Sequence, residues 1–260
     1  MANISVYIIA YNEEGKIQAA LESVTWADEV ILADSGSSDR TVEIAESLGA
    51  RVVQIPFEGF GHLRNRAVEA CSHQWIFSLD ADERCTEQVR DEVRKITTDP
   101  DALDVYFVPR RNYFLGRWVR HSGWYPDYRQ PQLFRKGSLR YKEDLVHEGF
   151  VTAARIGYLN HAIWQFPFQD LSEIVAKMQR YSSLGAERMA RQGVKSSMRK
   201  ALVHAVGAFV RVYVMKRGFL DGWAGFTIAL GNFEGTFYRY AKLAVSQNRW
   251  NAPPVEADSE

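Results

Sequence analysis

The chain has 260 residues, of which 46% are hydrophobic and 25% charged, as is typical of a globular protein with a buried core. Its 32 basic residues balance its 32 acidic ones, which argues against a general nucleic-acid-binding protein. Cys71 and Cys85 match no zinc-site or disulfide spacing, and the opening stretch MANISVYIIAYNEE meets acids too early for a signal peptide. We therefore expect a protein that works inside the cell.

The first 80 residues predict strands that alternate with helices. The apolar stretches ISVYIIA, EVILAD, RVVQIP and WIFSLD are separated by the helix-like stretches KIQAALESV, SSDRTVEIAESLG and HLRNRAVEAC. This alternation indicates βαβ units and a mostly parallel sheet. Ser38 or Asp39 is expected to cap the second helix, and Gly49 to end it. The predicted class is α/β, with a sheet flanked by helices.

Acidic or amide side chains follow three of these strands, namely Asn12, Glu13 and Glu14, then Asp34, and finally Asp80, Asp82 and Glu83. In open α/β sheets the carboxyl ends of the strands form the edge where ligands bind. Asp80 and Asp82 therefore suit a metal-bound diphosphate, whereas the equally spaced Asp99 and Asp101 enclose a proline and are expected in a loop. For Asp34 a simple turn role is the alternative.

A dinucleotide-binding fingerprint is the obvious rival interpretation of this half of the chain. The only close glycine pair, Gly59 and Gly61, is followed by Arg64 where the third glycine should stand. The pair also lies outside the first strand-to-helix turn, which disfavours a Rossmann dehydrogenase.

The pattern of hydrophobic and polar residues changes twice in the rest of the chain. From about residue 103, short β-like stretches such as DVYFVPRRNYF and QPQLFRKGSLRY predict a mixed-sheet appendage. From about Phe168 the pattern becomes helical, and Asp170 with Glu173 resembles a capping box at the start of a long helix. The last ten residues, 251–260, are expected to be a disordered tail.

Four stretches taken in order, VYIIAYNEE, EVILADSGSSDRTVEIAESLGARV, RNRA and WIFSLDADER, resemble the family 2 glycosyltransferases. The resemblance covers at least residues 4–165. It implies a GT-A fold, a Rossmann-like mixed sheet of the nucleotide-diphospho-sugar transferases, over residues 1–165, with a helical C-terminal region over 166–250. Within the family the chain is most similar to bacterial enzymes that add glucose to inner-core heptose of lipopolysaccharide, a likeness that LFRKG, VHE and RGFLDGWAGF support. A UDP-sugar donor, UDP-glucose in particular, and inversion at the anomeric carbon are implied.

The resemblance also implies roles at the donor site. A divalent ion, Mg²⁺ or Mn²⁺, would stabilise the departing diphosphate as a Lewis acid. Asp82 would bind the ion, and Asp80 would contact the ribose or share the ion. Asp34 would hydrogen-bond uracil, while Tyr11 and Glu13 would line the base and ribose pocket.

Two further donor-site roles carry explicit alternatives. Arg64 or Arg66 would add positive charge near the diphosphate, unless both are solvated helix arginines. His161, in GYLNHAIW, resembles the histidine that many GT-A enzymes place on the metal from a late strand, and a structural histidine is its alternative.

An inverting transfer also needs a general base for the acceptor hydroxyl. The resemblance places this base at Glu148 in VHE, with Asp144, Glu143 and Asp127 as rivals and His147 as an orienting or packing neighbour. The segment 110–132, rich in Arg, Tyr and Trp, suits a loop that binds acceptor sugars and phosphates, or alternatively a satellite core.

A basic zone follows in the C-terminal third, where eight cationic residues and no acid occur between Glu187 and Asp221: Arg188, Arg191, Lys195, Arg199, Lys200, Arg211, Lys216 and Arg217. The stretch ALVHAVGAFVRVYVM is too short and too interrupted to span a bilayer but suits an anionic interface. Helix packing or an oligomer interface is the alternative. We expect a peripheral enzyme on the inner face of the bacterial inner membrane.

The sequence thus predicts a metal-dependent inverting glycosyltransferase that joins a nucleotide-sugar donor to a lipid-linked saccharide acceptor, without nucleic acid as a partner. One alternative is transfer of a hexosamine, heptose or mannose to another lipid carrier or a polypeptide. The other is a non-catalytic nucleotide-sugar-binding scaffold at the membrane.

Overall fold

The computed structural model describes residues 3–143 and 149–247. Its strands are β1 Ile4–Ala10, β2 Glu29–Asp34, β3 Arg51–Gln54, β4 Trp75–Asp80, β5 Glu83–Arg84, β6 Val105–Phe107, β7 Arg110–Phe114, β8 Arg117–Trp118, β9 Pro131–Arg135, β10 Arg140–Tyr141, β11 Phe150–Val151, β12 Ile156–Tyr158 and β13 Ile163–Gln165. Its α-helices are α1 Ile17–Glu22, α2 Thr41–Ser47, α3 Phe60–Ala70, α4 Glu87–Thr98, α5 Leu171–Arg191, α6 Met198–Val210 and α7 Trp223–Gln247. The predicted α/β class and the C-terminal helices are confirmed.

The chain divides into two compact units. The first contains the residues up to 113 together with 125–167, and the second contains 114–124 together with the chain from 168 onward. The second unit therefore includes a short excursion from the middle of the chain as well as the C-terminal helices. The tail predicted over 251–260 lies outside the described residues.

The first unit is built on a seven-stranded sheet in the order β12-β6-β9-β4-β1-β2-β3. β1 pairs in parallel with both β2 and β4, as the βαβ pattern predicts. All seven residues of β1 are buried, which agrees with a strand covered on both faces. The site-bearing strand β4 thus lies beside β1 at the centre of the sheet.

The stretches after residue 103 extend this sheet instead of forming only an appendage. β9 inserts between β4 and β6 and runs antiparallel to both, and β12 is parallel to β6. Four of the five β9 residues are buried, so this strand can occupy an interior position. A smaller sheet includes β5, β13 and β7 in that order, and so only part of the predicted appendage is separate.

The predicted signals around α2 are present with one shift. Arg40, not Ser38 or Asp39, occupies the cap position, and it makes no capping side-chain bond. The Asp39 carboxylate nevertheless accepts the backbone N–H of Thr41 at 3.0 Å. Gly49 follows the helix with φ +80°, in the left-handed region that favours glycine, and so ends it as predicted.

The helical part of the second unit begins with α5, which Asp170 caps by accepting the N–H of Glu173 at 2.8 Å. α7 packs against both α5 and α6. A small core joins Phe114 and Val119 to apolar side chains of the C-terminal helices, among them Ala224 and Ile228. Within residues 3–143 and 149–247, no helix has the length and apolarity needed to cross a membrane.

Candidate active site

The loops after β1 and β2 are joined to each other by hydrogen bonds. The Asn12 N–H donates to Ser37 Oγ at 2.9 Å, and Asn12 Oδ1 accepts the Ser38 N–H at 2.8 Å. The Glu13 N–H donates to Thr41 Oγ1 at 2.8 Å. The carboxyl ends of these two neighbouring strands therefore share one cross-linked rim.

Asp34 is fully buried within this rim and holds its own loop together. Oδ2 accepts the N–H groups of Gly36 at 3.0 Å and Ser37 at 2.9 Å, and Oδ1 accepts the Ser37 hydroxyl at 2.5 Å. The turn role left open by the sequence is thus present. All three of these bonds lie within the loop itself, and the contact of Asp34 with uracil stays a prediction.

The other residues predicted for the base and ribose pocket lie along the same loop. Tyr11, directly after β1, is 61% exposed and available to a ligand. Glu13 is two residues further, and its Oε2 lies 3.6 Å from the Lys16 ammonium. Their roles towards a nucleotide stay predictions.

Asp80, at the end of β4, is held by the buried Arg64 of α3. Arg64 Nη2 donates to Asp80 Oδ1 at 2.8 Å, and Nη1 donates to Ser78 Oγ at 3.2 Å. Burial acts to raise the pKa of Asp80, but the nearby guanidinium groups of Arg64 and Arg110 hold it below its ordinary value. Asp80 is therefore an ionised, oriented carboxylate.

The structure distinguishes the two arginines that the sequence left as alternatives. Arg64 is 3% exposed and reaches Asp80, and its guanidinium also lies 5.7 Å from the centre of the Tyr141 ring. Arg66 points to the surface, where its Nη1 lies 2.7 Å from Glu69 Oε2. Of the two, only Arg64 is brought to the acidic strand end.

Glu83 is a site residue to which the sequence assigned no role. It is fully buried, pairs with the Arg110 guanidinium, and accepts hydrogen bonds from Gln132 Nε2 and the Asp80 N–H, each at 2.9 Å. Burial raises the pKa of Glu83 to about 7, with Arg110 opposing and Asp80 adding to the rise. Glu83 thus ties the turn after β4 to β7 and β9.

Asp82 lies in the turn between β4 and β5 and contacts Gln165 of β13. Gln165 Nε2 lies 3.3 Å from Oδ1 and 3.2 Å from Oδ2, and the Asp82 carbonyl accepts the Phe166 N–H at 2.8 Å. Gln165 is 5% exposed, so this amide is a fixed donor. Asp82 is therefore oriented from β13, as Asp80 is from α3.

Three buried polar atoms around these acids have no hydrogen-bond partner among the described residues: Arg110 Nη1, Gln132 Oε1 and Gln165 Oε1. Buried polar atoms are normally paired with protein or water. Arg110 and Gln132 bind Glu83, and Gln165 binds Asp82, so these atoms indicate a place around the two acids that water or a polar ligand completes.

The donor atoms fit a divalent ion that is bound together with a diphosphate. Across residues 3–143 and 149–247, no cluster of three or more His, Cys, Asp or Glu side chains could hold a metal by itself. Mg²⁺ commonly takes only one or two protein carboxylates and completes its shell with water and substrate phosphates. Asp80 and Asp82, each oriented by a neighbouring donor, meet that requirement.

His161 is placed against a helix instead of among these acids. Its Nδ1 lies 2.9 Å from Glu92 Oε2 on α4, and its backbone N–H donates to the same oxygen at 3.0 Å. The structural alternative for this histidine is therefore present. Its predicted role as a metal ligand would require it to leave Glu92, and stays a prediction.

The candidates for the general base divide between described and undescribed residues. Glu148, Asp144 and His147 lie outside the described residues. Glu143 accepts from Asn65 Nδ2 at 2.9 Å and from Arg140 at 3.2 Å, and Asp127 lies 3.0 Å from Arg129 Nε: both rivals already hold neighbouring polar groups.

The predicted acceptor segment over 110–132 contains both buried and exposed aromatic side chains. Phe114 is buried in the core of the second unit, beside Trp124. Tyr128 is 40% exposed in the first unit, with its ring 6.2 Å from Phe107 and 5.3 Å from Tyr158. The satellite-core alternative is therefore present at Phe114, and a contact of Tyr128 with an acceptor sugar stays a prediction.

Known proteins of similar sequence include glycosyltransferases. One relative is an uncharacterized glycosyltransferase of Rickettsia bellii (strain RML369-C), which is 30% identical to this chain. The alignment covers 92% of this chain and 85% of that protein. Another is the lipopolysaccharide core biosynthesis glycosyltransferase LpsC of Rhizobium meliloti (strain 1021), which is 29% identical to this chain. That alignment covers 92% of this chain and 91% of LpsC.

A solved structure of glucosyl-3-phosphoglycerate synthase from Mycobacterium tuberculosis, with Mn²⁺, UDP and glucosyl-3-phosphoglycerate, is 28% identical over 43% of this chain, with a TM-score of 0.37. The match spans 44% of that enzyme, which is less than half of its length. The model of the family described as glycosyl transferase family 2 matches residues 5–166, more than half of the 260-residue chain. The match to the family model and the mixed sheet confirm the predicted GT-A class, and the chain belongs to glycosyl transferase family 2.

Proposed function

We propose that this family 2 glycosyltransferase moves glucose from UDP-glucose onto a heptose of lipopolysaccharide core, or onto a related envelope glycan, with inversion at the anomeric carbon. The observation that carries the proposal is the pair of oriented carboxylates, Asp80 and Asp82, at the carboxyl end of β4. The relative named for lipopolysaccharide core biosynthesis supports the choice of acceptor class.

In the proposed reaction Asp82 and Asp80 would hold a Mg²⁺ or Mn²⁺ ion beside the donor diphosphate, and the ion would supply Lewis-acid stabilisation of the leaving diphosphate. Arg64 fixes Asp80 in its ionised form, and Gln165 fixes the orientation of Asp82. Asp34, Tyr11 and Glu13 bind the uridine from the rim formed by the first two strands.

Glu148 is the proposed general base. It takes the proton of the acceptor hydroxyl while that oxygen forms a bond to the anomeric carbon and the bond to the diphosphate breaks. Attack from the side opposite the leaving group inverts the configuration.

Glu148→Gln should leave donor binding close to that of the wild type and lower the rate constant for transfer by at least about 100-fold.

We further propose that the enzyme works on the inner face of the bacterial inner membrane, attached peripherally, because a lipid-linked acceptor would be made there. The basic zone of the C-terminal third supports this location. Truncation is a poor test of it, because residues 114–124 share a compact unit with the C-terminal helices.

The donor site is tested by binding and hydrolysis of UDP-, GDP- and ADP-sugars, with and without Mg²⁺ or Mn²⁺. We expect metal-dependent binding of a UDP-sugar that Asp82→Asn weakens at least about tenfold, because a carboxylate ligand is lost. Asp101→Asn is the matched control, since it alters the other Asp-x-Asp pair, in an exposed turn between α4 and β6.

Each other outcome contradicts a specific part of the proposal. Selective binding of a GDP- or ADP-sugar would replace the donor, and metal-independent binding would remove the ion. If the folded wild type bound no sugar nucleotide, the transferase proposal would fail.

A further inference from the structure

One edge of the second unit combines exposed apolar and basic side chains. This edge, termed here the α6–α7 edge, consists of the exposed side chains of residues 198–223. Its large apolar members are each at least 41% exposed: Met198, Leu202, Val203, Val206, Val210, Val214, Met215, Phe219, Leu220 and Trp223. Its basic members are exposed too: Arg199, Lys200, Arg211, Lys216 and Arg217. Contiguous exposed apolar side chains of this kind mark interaction surfaces.

The edge presents no acidic group to solvent. Between Glu187 and Glu234 the sequence contains one acid, Asp221, and its residue is 4% exposed. The Asp221 carboxylate is turned inward, where it accepts the Ser122 hydroxyl at 2.8 Å and the backbone N–H of His121 at 3.1 Å. The exposed charge of the edge is therefore entirely positive.

The tip of the edge has a fixed shape. A π-helical turn, Arg211–Met215, continues α6, and a 3₁₀ turn, Gly218–Asp221, leads into α7. Gly218 is buried, and a Cβ there would lie 2.8 Å from the Val212 carbonyl oxygen, so only glycine allows this close approach. Met215 at 74% exposed and Leu220 at 52% are thus held outward by a tightly packed turn.

We propose that the α6–α7 edge is the surface by which the enzyme binds an anionic lipid bilayer. Met215, Phe219 and Leu220 enter the boundary between headgroups and acyl chains, while Arg211 and Lys216 contact lipid phosphates. The edge has the composition of an interfacial amphipathic element, apolar and cationic without acids. This inference rests on the proposed function, whose membrane partner it assigns to named residues.

Charge favours a lipid surface over a second copy of the chain. A symmetric dimer through this edge would place the same cationic groups opposite one another, because a two-fold interface pairs a patch with itself. Such a contact would bring two wholly cationic patches together without any exposed carboxylate to neutralise them. An anionic bilayer neutralises them and covers the apolar tip at the same time.

The test is co-sedimentation of the full chain with vesicles of phosphatidylcholine alone or with about 30% phosphatidylglycerol. We expect binding to the anionic vesicles that falls as salt is raised. The double variant Met215→Asp with Leu220→Asp should lower the partition coefficient at least about tenfold, because it places charge where apolar insertion occurs. Val175→Asp, on α5 and 55% exposed in the wild type, is the matched control and should bind normally.

A second pair of double variants measures the electrostatic contribution to vesicle binding. Arg211→Gln with Lys216→Gln should reduce binding to anionic vesicles, whereas Arg40→Gln with Arg140→Gln, which removes equal charge from side chains 69% and 73% exposed, should not. Far-UV circular dichroism and thermal unfolding of each variant establish that it is folded.

Vesicle binding is measured without donor or acceptor, so its result is independent of the transferase activity. If the wild type ignored anionic vesicles, or if Val175→Asp lost as much binding as the tip variant, the lipid assignment would be wrong. Light scattering tests the alternative. If the wild type is a dimer and the double variant Met215→Asp with Leu220→Asp is a monomer, the edge is a protein interface instead.

Discussion

At the scale of single residues, the acids after β4 work as a connected group. Asp80 is oriented by Arg64, Asp82 by Gln165, and Glu83 by Arg110. The two carboxylates proposed to bind the ion are therefore positioned by side chains that arrive from α3 and β13. Groups that orient metal ligands in this way commonly change metal affinity by about 10–100-fold when they are removed.

Replacing Gln165 tests this positioning role. Gln165→Met should raise the metal concentration for half-maximal activity about tenfold, because Asp82 loses its fixed donor. The unfolding temperature should change little, since the buried Oε1 of Gln165 has no partner among the described residues and Met fills a similar volume. Gln74→Met, at an exposed position, is the control. An unchanged metal dependence in Gln165→Met would show that Asp82 needs no orientation from β13.

The sequence could locate Asp80 and Asp82 because a strand end is visible in the local pattern. It could not assign Glu83 a role, since its partners Arg110 and Gln132 are 27 and 49 residues away. It left Arg64 and Arg66 equivalent for a similar reason: which side of α3 faces β4 depends on tertiary packing. Pairings of high sequence separation are the part of the site that required the structure.

At the scale of elements, the strands and helices of the first 80 residues follow their sequence pattern closely. β2 covers the predicted EVILAD, and β4 ends at the predicted Asp80. β9 is different, because its central position depends on antiparallel pairing with β4 and β6, which no local pattern specifies. Local signals therefore predicted the strand itself, and the sheet order could not be read from them.

The end of the sheet opposite the site is tied together by Glu29 at the start of β2. Its carboxylate accepts the hydroxyls of Ser5 at 2.5 Å and Ser72 at 2.8 Å, and lies 2.8 Å from Arg51 Nη2. Partial burial acts to raise the pKa of Glu29, but these bonds and the N–H of Ser72 lower it to about 2.

This lowered pKa predicts a pH-dependent stability. The stabilisation should be complete above the ordinary value of 4.5 and should be lost as the pH falls through about 2. Glu29→Gln should lower the free energy of unfolding by up to about 3 kcal/mol at pH 7 and by much less near pH 2.5. Urea unfolding at both pH values measures this, with the exposed Glu46→Gln as control. An equal loss at the two pH values would contradict the assignment.

At the scale of the whole molecule, the division into two units departs from a simple cut of the chain. The sequence predicts a catalytic domain over 1–165, whereas the excursion 114–124 belongs with the C-terminal helices. Phe114 is 2% exposed in the core that contains Ala224 and Ile228. A chain that ends near residue 165 would expose that core side chain.

Truncation and a point variant test this organisation together. A chain that ends at residue 167 should bind the dye ANS strongly and aggregate, because the apolar side chains of 114–124 lose their cover. In the full chain, Phe114→Ala should lower the free energy of unfolding by about 3–5 kcal/mol. Phe57→Ala, 56% exposed in the wild type, should have little effect. A soluble, cooperatively unfolding fragment without ANS binding would mean that 114–124 does not depend on the C-terminal helices.

The late insertion of β9 has a consequence for synthesis on the ribosome. β4 pairs with β1 on one side and with β9 on the other. β9 begins only at Pro131 and is therefore synthesised much later than β1 and β4. Until about fifty more residues have emerged after Asp80, the apolar strand that carries the donor-site acids is an unpaired sheet edge, open to pairing with another nascent chain. This edge of β4 can be covered only once the chain extends past Arg135, the last residue of β9.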